Sequence, residues 1–443
     1  MRGVRYHNQT MSTSPNPAVT GLPEPMSMGE VLRVPIMRRL WIAQLVSTFG
    51  DFLALFAVIG VLTFKLKDTA QQVTGLQIAY LLPIAVLGIL AGVFVDRWPL
   101  KPTLVVSDLT RSALCLLLLL ATKTFHFYAI LACISILSSF FSPAQGVAIR
   151  SAVPMHGLRS ANALMQQVLF GMRIVGPGLA TILFTTFGPR ICYMADAASF
   201  LASGCLIASL TLKRVTPEDK QSLETPLDTP AAAPSAKPGL SNILPDMRQG
   251  ISFIVHHAAV LFVIVALAAG MFVLGCFGPL IAVYVRDSLH ASTKIYGTAS
   301  TMIGIGMFLG VNLLNTVGKK IKNSTLVYGG LGGIAIGLCF LAFLLHIWAT
   351  VIGTLIIGIA VAGIVVPSNT LIQQETPAAL MGRVGSTVMS LVFSAQIAGL
   401  ILSGLLANRI GVRHVFAVCG LLLVVLIIAG KLFMEPKPVP ATT

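Results

Sequence analysis

Apolar residues run through this chain in long unbroken stretches, not in the alternating or heptad patterns of a soluble fold. Stretches of about 20 residues or more lie at 40–64, 73–95, 103–122, 126–149, 161–187, 191–212, 258–285, 295–317, 324–345, 348–372, 384–407 and 412–433. A helix of that length crosses a bilayer, and helices satisfy their own backbone groups inside hydrocarbon. The pattern therefore predicts an all-α membrane protein with twelve transmembrane helices.

The polar segments divide these spans. Residues 1–37 are rich in Pro, Ser, Thr and Met and read as a disordered tail without a cleavable leader. Between spans six and seven, residues 213–247 carry Thr225-Pro226, Thr229-Pro230 and Lys237-Pro238-Gly239 and read as a flexible linker. Residues 246–257 then form a short amphipathic lead-in helix. The domains are thus a six-helix bundle over 38–212, a second over 248–433, and a C-terminal tail over 434–443.

Composition narrows the class. With 443 residues, 56% of them hydrophobic and 10% charged, no single soluble core would hide the apolar surface. The net charge of +15 raises nucleic acid as a partner, but no basic stripe interleaved with aromatics is present. With the N-terminus placed inside, 21 of the 30 Lys and Arg residues, counting Arg111 at a helix end, fall on the inner side. That bias predicts a multi-pass protein of a bacterial-type plasma (inner) membrane with both termini cytoplasmic.

The seven cysteines sit inside apolar runs without metal-ligand spacing, so no metal or cofactor is expected. The chain lacks HExxH, a nucleophile dyad, paired intramembrane carboxylates and a Walker A loop, which argues against a membrane enzyme or an ATP-driven pump.

The two bundles echo each other. Gly88-Ile-Leu-Ala-Gly92 matches Gly306-Met-Phe-Leu-Gly310 at an offset of 218, growing to 222 at Thr-Leu-Val 103–105 and 325–327. Pro143 and Pro154 match Pro367 and Pro377 at 224 and 223. Parallel repeats of this kind predict two pseudo-twofold bundles with a substrate site between them near the midplane.

Within this frame a few polar residues stand out. Asp51 lies near the middle of span one, where a carboxylate must be neutralised, paired or exposed to a water-filled cavity. Gln44, Thr48 and Asp51 fall at helical spacing on one stripe. Two readings stay open for Asp51: a proton carrier, or a static partner of Arg173 in span five. Arg173 alternatively attracts an anionic substrate. Gly176, Pro177 and Gly178 follow it and allow a kink and tight packing. Span four carries Ser135, Ser138, Ser142 and Gln145 on one stripe, and span ten carries Ser368, Asn369 and Gln373. Such stripes, with Phe140, Phe141 and Phe170 as aromatic neighbours, suit a large amphipathic ligand. Asp196 and Glu375 read as residues at the water interfaces.

The loop after span two completes the set. Gly88 and Gly92 would permit close backbone approach, and Asp96 would face a helix end or a positive charge across the seam. The other reading is topological, with Arg97 and Lys101 serving only the positive-inside bias.

Gly92-x-x-x-Asp96-Arg97-x-x-x-Lys101, Asp108-x-x-Arg111, Phe141-x-Pro143-Ala144, Ser160-Ala161-Asn162-Ala163-Leu164, Gly176-Pro177-Gly178 and Gln374-x-x-Pro377 with Gly382-Arg383-Val384 together resemble the major facilitator superfamily. Within it the chain is similar to the branch of siderophore exporters and macrolide-efflux proteins. The resemblance implies a conformational latch built from Gly92, Asp96, Arg97 and Lys101, with Asp108 and Arg111 as its partners. It also implies that spans four and ten line the cavity, and that Gly176-Pro177-Gly178 is a span-five motif associated with antiport. The expected function is proton-coupled export of a hydrophobic or amphipathic small molecule by a monomer using alternating access. A lysophospholipid transporter, or a non-transporting receptor or scaffold, is the alternative.

The second copy of the loop, after Gly310, has Asn315 and Gly318-Lys319-Lys320 in place of the Asp-Arg pair, so the latch is made once. We expect Asp96→Asn to slow transport more than it weakens substrate binding; unchanged turnover would reduce the loop to a topology signal.

Overall fold

A computed structural model describes residues 25–95, 98–211, 252, 254–255, 257–316, 321–377 and 380–433. Among them, twelve helices are long and apolar enough to cross a membrane. The first half holds α1 (Met28–Arg33), α2 (Pro35–Gly60), α3 (Ala70–Val95), α4 (Leu100–Leu117), α5 (Thr124–Ala152), α6 (Leu158–Phe187) and α7 (Pro189–Ala208). The second holds α8 (Ala258–Asp287), α9 (Thr293–Thr316), α10 (Asn323–Phe343), α11 (Ile347–Glu375), α12 (Met381–Ile410) and α13 (Val412–Phe433). The linker over 213–247 lies outside the described residues, as does most of the lead-in segment.

The helix starts reveal the repeat more sharply than the motifs do. Each spanning helix of the second half begins 223 residues after its counterpart: α8 after α2, α9 after α3, and so on to α13 after α7. Gly188 and Gly411, also 223 apart, both take left-handed φ values of 81° and 82° and end α6 and α12 in the same tight turn. The helix neighbours repeat as well: α2 packs on α6 and α7 as α8 packs on α12 and α13, and α3 on α5 as α9 on α11. The constant offset corrects the glycine register drawn from sequence. Gly88 aligns with Val311 and Gly92 with Asn315, so the two GxxxG stretches are not repeat mates.

Their environments differ accordingly. A Cβ on Gly358 of α11 would lie 2.2 Å from the Ile303 carbonyl oxygen, and one on Gly306 of α9 would lie 2.3 Å from that of Leu355, so backbone meets backbone there. A Cβ on Gly88 would meet nothing within 4 Å. Close approach is therefore a property of Gly306 and Gly310, not of Gly88.

The chain before span one is ordered sooner than its composition predicts. Ser27 and Glu30 form a reciprocal capping box that starts α1, and Val31 is buried. The Ser160 hydroxyl donates to the Met26 carbonyl at 2.6 Å, tying this segment to the start of α6. Pro35 then opens α2 five residues before the apolar run begins, in the first-turn position where its missing N–H is harmless.

The halves meet toward the ends of the helices opposite the linker. There α3 packs on α12 and α6 on α9, with Asn408 Nδ2 donating to Gln71 Oε1 at 2.9 Å and the rings of Phe56 and Tyr296 stacked 4.8 Å apart. Toward the linker end of the same helices, Phe170, Phe308, Leu313, Met389 and Phe393 are exposed. The two bundles are thus tied together at one end, and exposed apolar side chains occur on these helices at both ends, Ile182, Phe187, Ile401 and Leu405 among them.

Overpacking the α9–α11 seam should destabilise the second half. We expect Gly358→Val to lower stability by about 1–3 kcal/mol in detergent thermal unfolding, with Gly88→Val near neutral; an unchanged midpoint for Gly358→Val contradicts the contact.

Candidate functional site

The polar stripe of α2 is joined to α5 by hydrogen bonds. Gln44 Nε2 donates to Thr48 Oγ1 at 2.8 Å, and Gln145 Nε2 of α5 donates to Gln44 Oε1 at 2.6 Å. Asp51 follows Thr48 by three residues and is half-buried. Gln145, Gln44 and Thr48 therefore form a polar column in the first half that ends at a carboxylate.

A group of charges surrounds that carboxylate. Asp51 interacts electrostatically with Arg111 and Asp108 of α4 and with Asp196 of α7. Arg111 forms an ion pair with Asp108, and its guanidinium carbon lies 4.3 Å from the ring centre of Phe141 and 4.4 Å from that of Phe200. This stacking suits a planar cation held away from water. Asp108 Oδ2 also accepts the Ser203 hydroxyl at 2.7 Å, and Ser138 Oγ accepts from Arg111 at 3.5 Å. Asp196 accepts from the Cys115 thiol at 3.0 Å, and its neighbour Ser199 donates to the Asp196 carbonyl at 2.7 Å. Gly50 lets α7 come this close, because a Cβ there would lie 2.4 Å from Asp196 Oδ1. The cluster sets three carboxylates against one guanidinium.

Several expectations change here. Asp196 lies 1% exposed in the bundle and not at a water interface, so a pair of intramembrane carboxylates does exist. Arg111 is the twelfth residue of α4 and buried, so 20 basic residues, not 21, remain on the linker side. Among the described residues the base whose charge acts on Asp51 is Arg111, itself ion-paired with Asp108, and no contact joins Asp51 to Arg173. Arg173 is exposed on α6, 6.0 Å from the Phe170 ring centre, with no carboxylate partner among the described residues.

Asp108 and Arg111, expected as partners of the latch loop, find their described partners inside the first half. Asp96 and Arg97 lie outside the described residues; Gly92 ends up near the end of α3, and Lys101 is half-buried in the first turn of α4. Of the span-five motif, Gly176 packs on Phe52 of α2 while Gly178 faces Thr301 of α9 across the seam, at 3.3 Å for an added Cβ.

The cavity candidates separate into two groups. Gln44, Thr48, Ser138 and Gln145 are tied into the first half, whereas Ser142, Asn369 and Gln373 are exposed. Phe141 turns inward onto Arg111, and Phe140 stacks 5.4 Å from Trp98, leaving Phe170 as the exposed ring of the three. Sequence reading placed Asp196 at an interface, although Asp196, Ser199 and Ser203 repeat the i, i+3, i+7 spacing that singled out Ser135, Ser138 and Ser142.

Comparison with known proteins identifies the scaffold. The family model described as Major Facilitator Superfamily matches residues 40–399. The chain belongs to the major facilitator superfamily. It is 24% identical to macrolide efflux protein A of Streptococcus pyogenes over 414 residues, covering 89% of this chain and 95% of that protein. It is 25% identical to the MFS-type transporter YfiS of Bacillus subtilis (strain 168) over 407 residues, 89% and 93% of the two chains. The multidrug efflux pump Tap of Mycolicibacterium fortuitum is 23% identical over 81% of this chain and 86% of its own. Among solved structures, a bacterial homologue of the human lysosomal transporter Spinster, inward-facing and unoccupied, superposes with a TM-score of 0.65 at 13% identity, covering 91% of this chain and 98% of that one. The nucleoside transporter NupG superposes with a TM-score of 0.64 at 14% identity, over 91% and 100%. The protein is a multi-pass membrane transporter of this superfamily with efflux-type relatives, not an enzyme.

Removing one member of the buried pair should expose the charge balance. We expect Arg111→Ala to cost about 3–5 kcal/mol in thermal unfolding by stranding Asp108, and Asp108→Asn with Arg111→Gln to recover part of it. Strictly additive losses would contradict a coupled pair.

Proposed function

We propose that this transporter exports hydrophobic or amphipathic small molecules in exchange for protons, by alternating access, as a monomer without a cofactor. The observation that carries the reading is Asp51: half-buried, at the end of the Gln145–Gln44–Thr48 column, beside a cluster with more carboxylates than cations. A carboxylate in that place can take up a proton with little movement when water reaches it, and release it when the opening changes side.

Direction and substrate class rest on further features. The linker side holds 20 of the 30 basic residues, which favours a cytoplasmic linker in a bacterial-type plasma membrane, with both termini on the same side. The end at which the halves are tied together then faces away from the cytoplasm. Exposed Phe170, Phe308 and Phe393 with exposed Ser142, Asn369 and Gln373 supply the aromatic and hydrogen-bonding groups that a large ligand with few hydrogen bonds calls for. The efflux-type relatives point the same way.

Arg173 supports a second reading. An exposed guanidinium in mid-helix without a carboxylate partner among the described residues is suited to a phosphate, which favours lysophospholipid movement.

Inverted membrane vesicles separate these. Asp51→Asn should retain substrate binding and lose uptake driven by a proton gradient, and wild-type pH dependence in that variant would remove the proton role. Arg173→Gln should spare drug transport under the first reading and abolish lysolipid movement under the second.

A further inference from the structure

We propose that Arg286, at the end of α8, is the clamp that holds the halves shut at the end opposite the linker. Its guanidinium reaches across the seam: Nη1 donates to the Thr63 carbonyl at 2.8 Å and to the Asp68 carbonyl at 2.6 Å. Both acceptors belong to the first half, at the turn between α2 and α3. Thr63 is the residue 223 positions before Arg286, so each is the other's counterpart in the repeat. The contact therefore joins equivalent positions of the two halves, where the pseudo-twofold axis brings α2 and α8 together.

The socket that receives Arg286 is built by an irregularity of α2. Residues Val61–Lys65 form a π-helical turn. Leu66 N–H donates to the Val61 carbonyl five residues back, and Asp68 N–H to the Leu62 carbonyl six back, each at 2.9 Å. This wider ladder passes over the Thr63 carbonyl and leaves it for an outside donor. Lys67 takes a left-handed φ of 55°, which turns the chain back so that the Asp68 carbonyl stands beside that of Thr63. The Asp68 carboxylate is pinned in turn by the Thr124 hydroxyl at 2.7 Å. Two carbonyls are thereby fixed before the guanidinium arrives, which limits the order that must be imposed when the clamp closes.

The other face of the guanidinium keeps the contact reversible. Arg286 Nη2 donates to Asp287 Oδ2 at 2.8 Å, so its charge stays paired inside the second half when the carbonyls are released. Arg286 is 18% exposed and lines an outer cleft of about 500 Å³ with Lys67, Asn408 and His414, so water reaches it. A carbonyl–guanidinium contact carries no ion pair across the seam, so opening separates no opposite charges. The nearby Asn408–Gln71 bond gives a second, neutral tie on the same end.

The clamp rests on the alternating-access part of the reading above and on neither proton coupling nor substrate identity. Hydrogen–deuterium exchange of the full-length protein in detergent or nanodiscs tests it without a substrate. In Arg286→Gln, backbone segments 61–75 and 400–411 should exchange about tenfold faster than in the wild type, while 100–117 and 189–208 stay unchanged. Arg286→Lys, a point charge without the planar fork, should fall between the two. Unchanged exchange at 61–75 and 400–411 in Arg286→Gln would overturn the proposal, and so would a uniform increase across all helices of both halves. A failure of proton coupling in Asp51→Asn leaves this readout untouched.

Discussion

A charge inside hydrocarbon must find its partner within the protein, and this constraint divides the molecule. Asp51, Asp108, Arg111, Arg173 and Asp196 all lie well inside spanning helices of the first half. Among the described residues of the second half, the Asp, Glu, Lys and Arg side chains stay near helix ends, as Arg286, Lys294, Glu375, Arg409 and Arg413 do. The first half is therefore held by a paired, stacked polar interior, whereas the second is held by glycines that let backbone meet backbone. Two halves of the same fold reach stability by different physics.

That asymmetry fits a transporter in which the halves have different duties. The constant 223-residue displacement of helix starts fixes the same architecture twice. The chemistry has not been kept twice: the carboxylates and the polar column remain in one copy, and the close glycine seam in the other. A half with a tightly packed α9–α11 pair is suited to move as a body against a half that carries the buried carboxylate cluster. The seam between them is made of carbonyl, amide and aromatic contacts at one end, all of which can part without stranding a charge.

The spans were legible because runs of about 20 apolar residues have one physical solution in a bilayer. Their starts were less so: α2 begins at Pro35, in a stretch whose polar composition hides the turn that Pro and the preceding capping box create. The repeat was visible, but Gly-x-x-x-Gly patterns recur often enough in membrane helices to suggest a false register, and only helix starts correct it. Asp51 was found because its burial follows from its depth. Asp196 was not, because eight residues into a helix reads as near the interface until α2 and α4 close over it through Gly50 and Cys115. The choice of Arg111 over Arg173 as the neighbour of Asp51 was likewise beyond sequence, since both bases lie at plausible depth and only the packing of α4 and α7 selects one.

The claim on which the account turns is that proton movement through the first half drives substrate movement between the halves. Purified protein in liposomes with its linker side outward, loaded with acid and a fluorescent pH indicator, tests it directly with a panel of labelled macrolides and lysophospholipids. The account predicts that at least one amphipathic compound accumulates inside only while the interior is acidic, that its entry speeds loss of the acid load, and that a protonophore abolishes both. Movement of the transported compound at the same rate and extent with and without the gradient, and with no effect on interior pH, would contradict it.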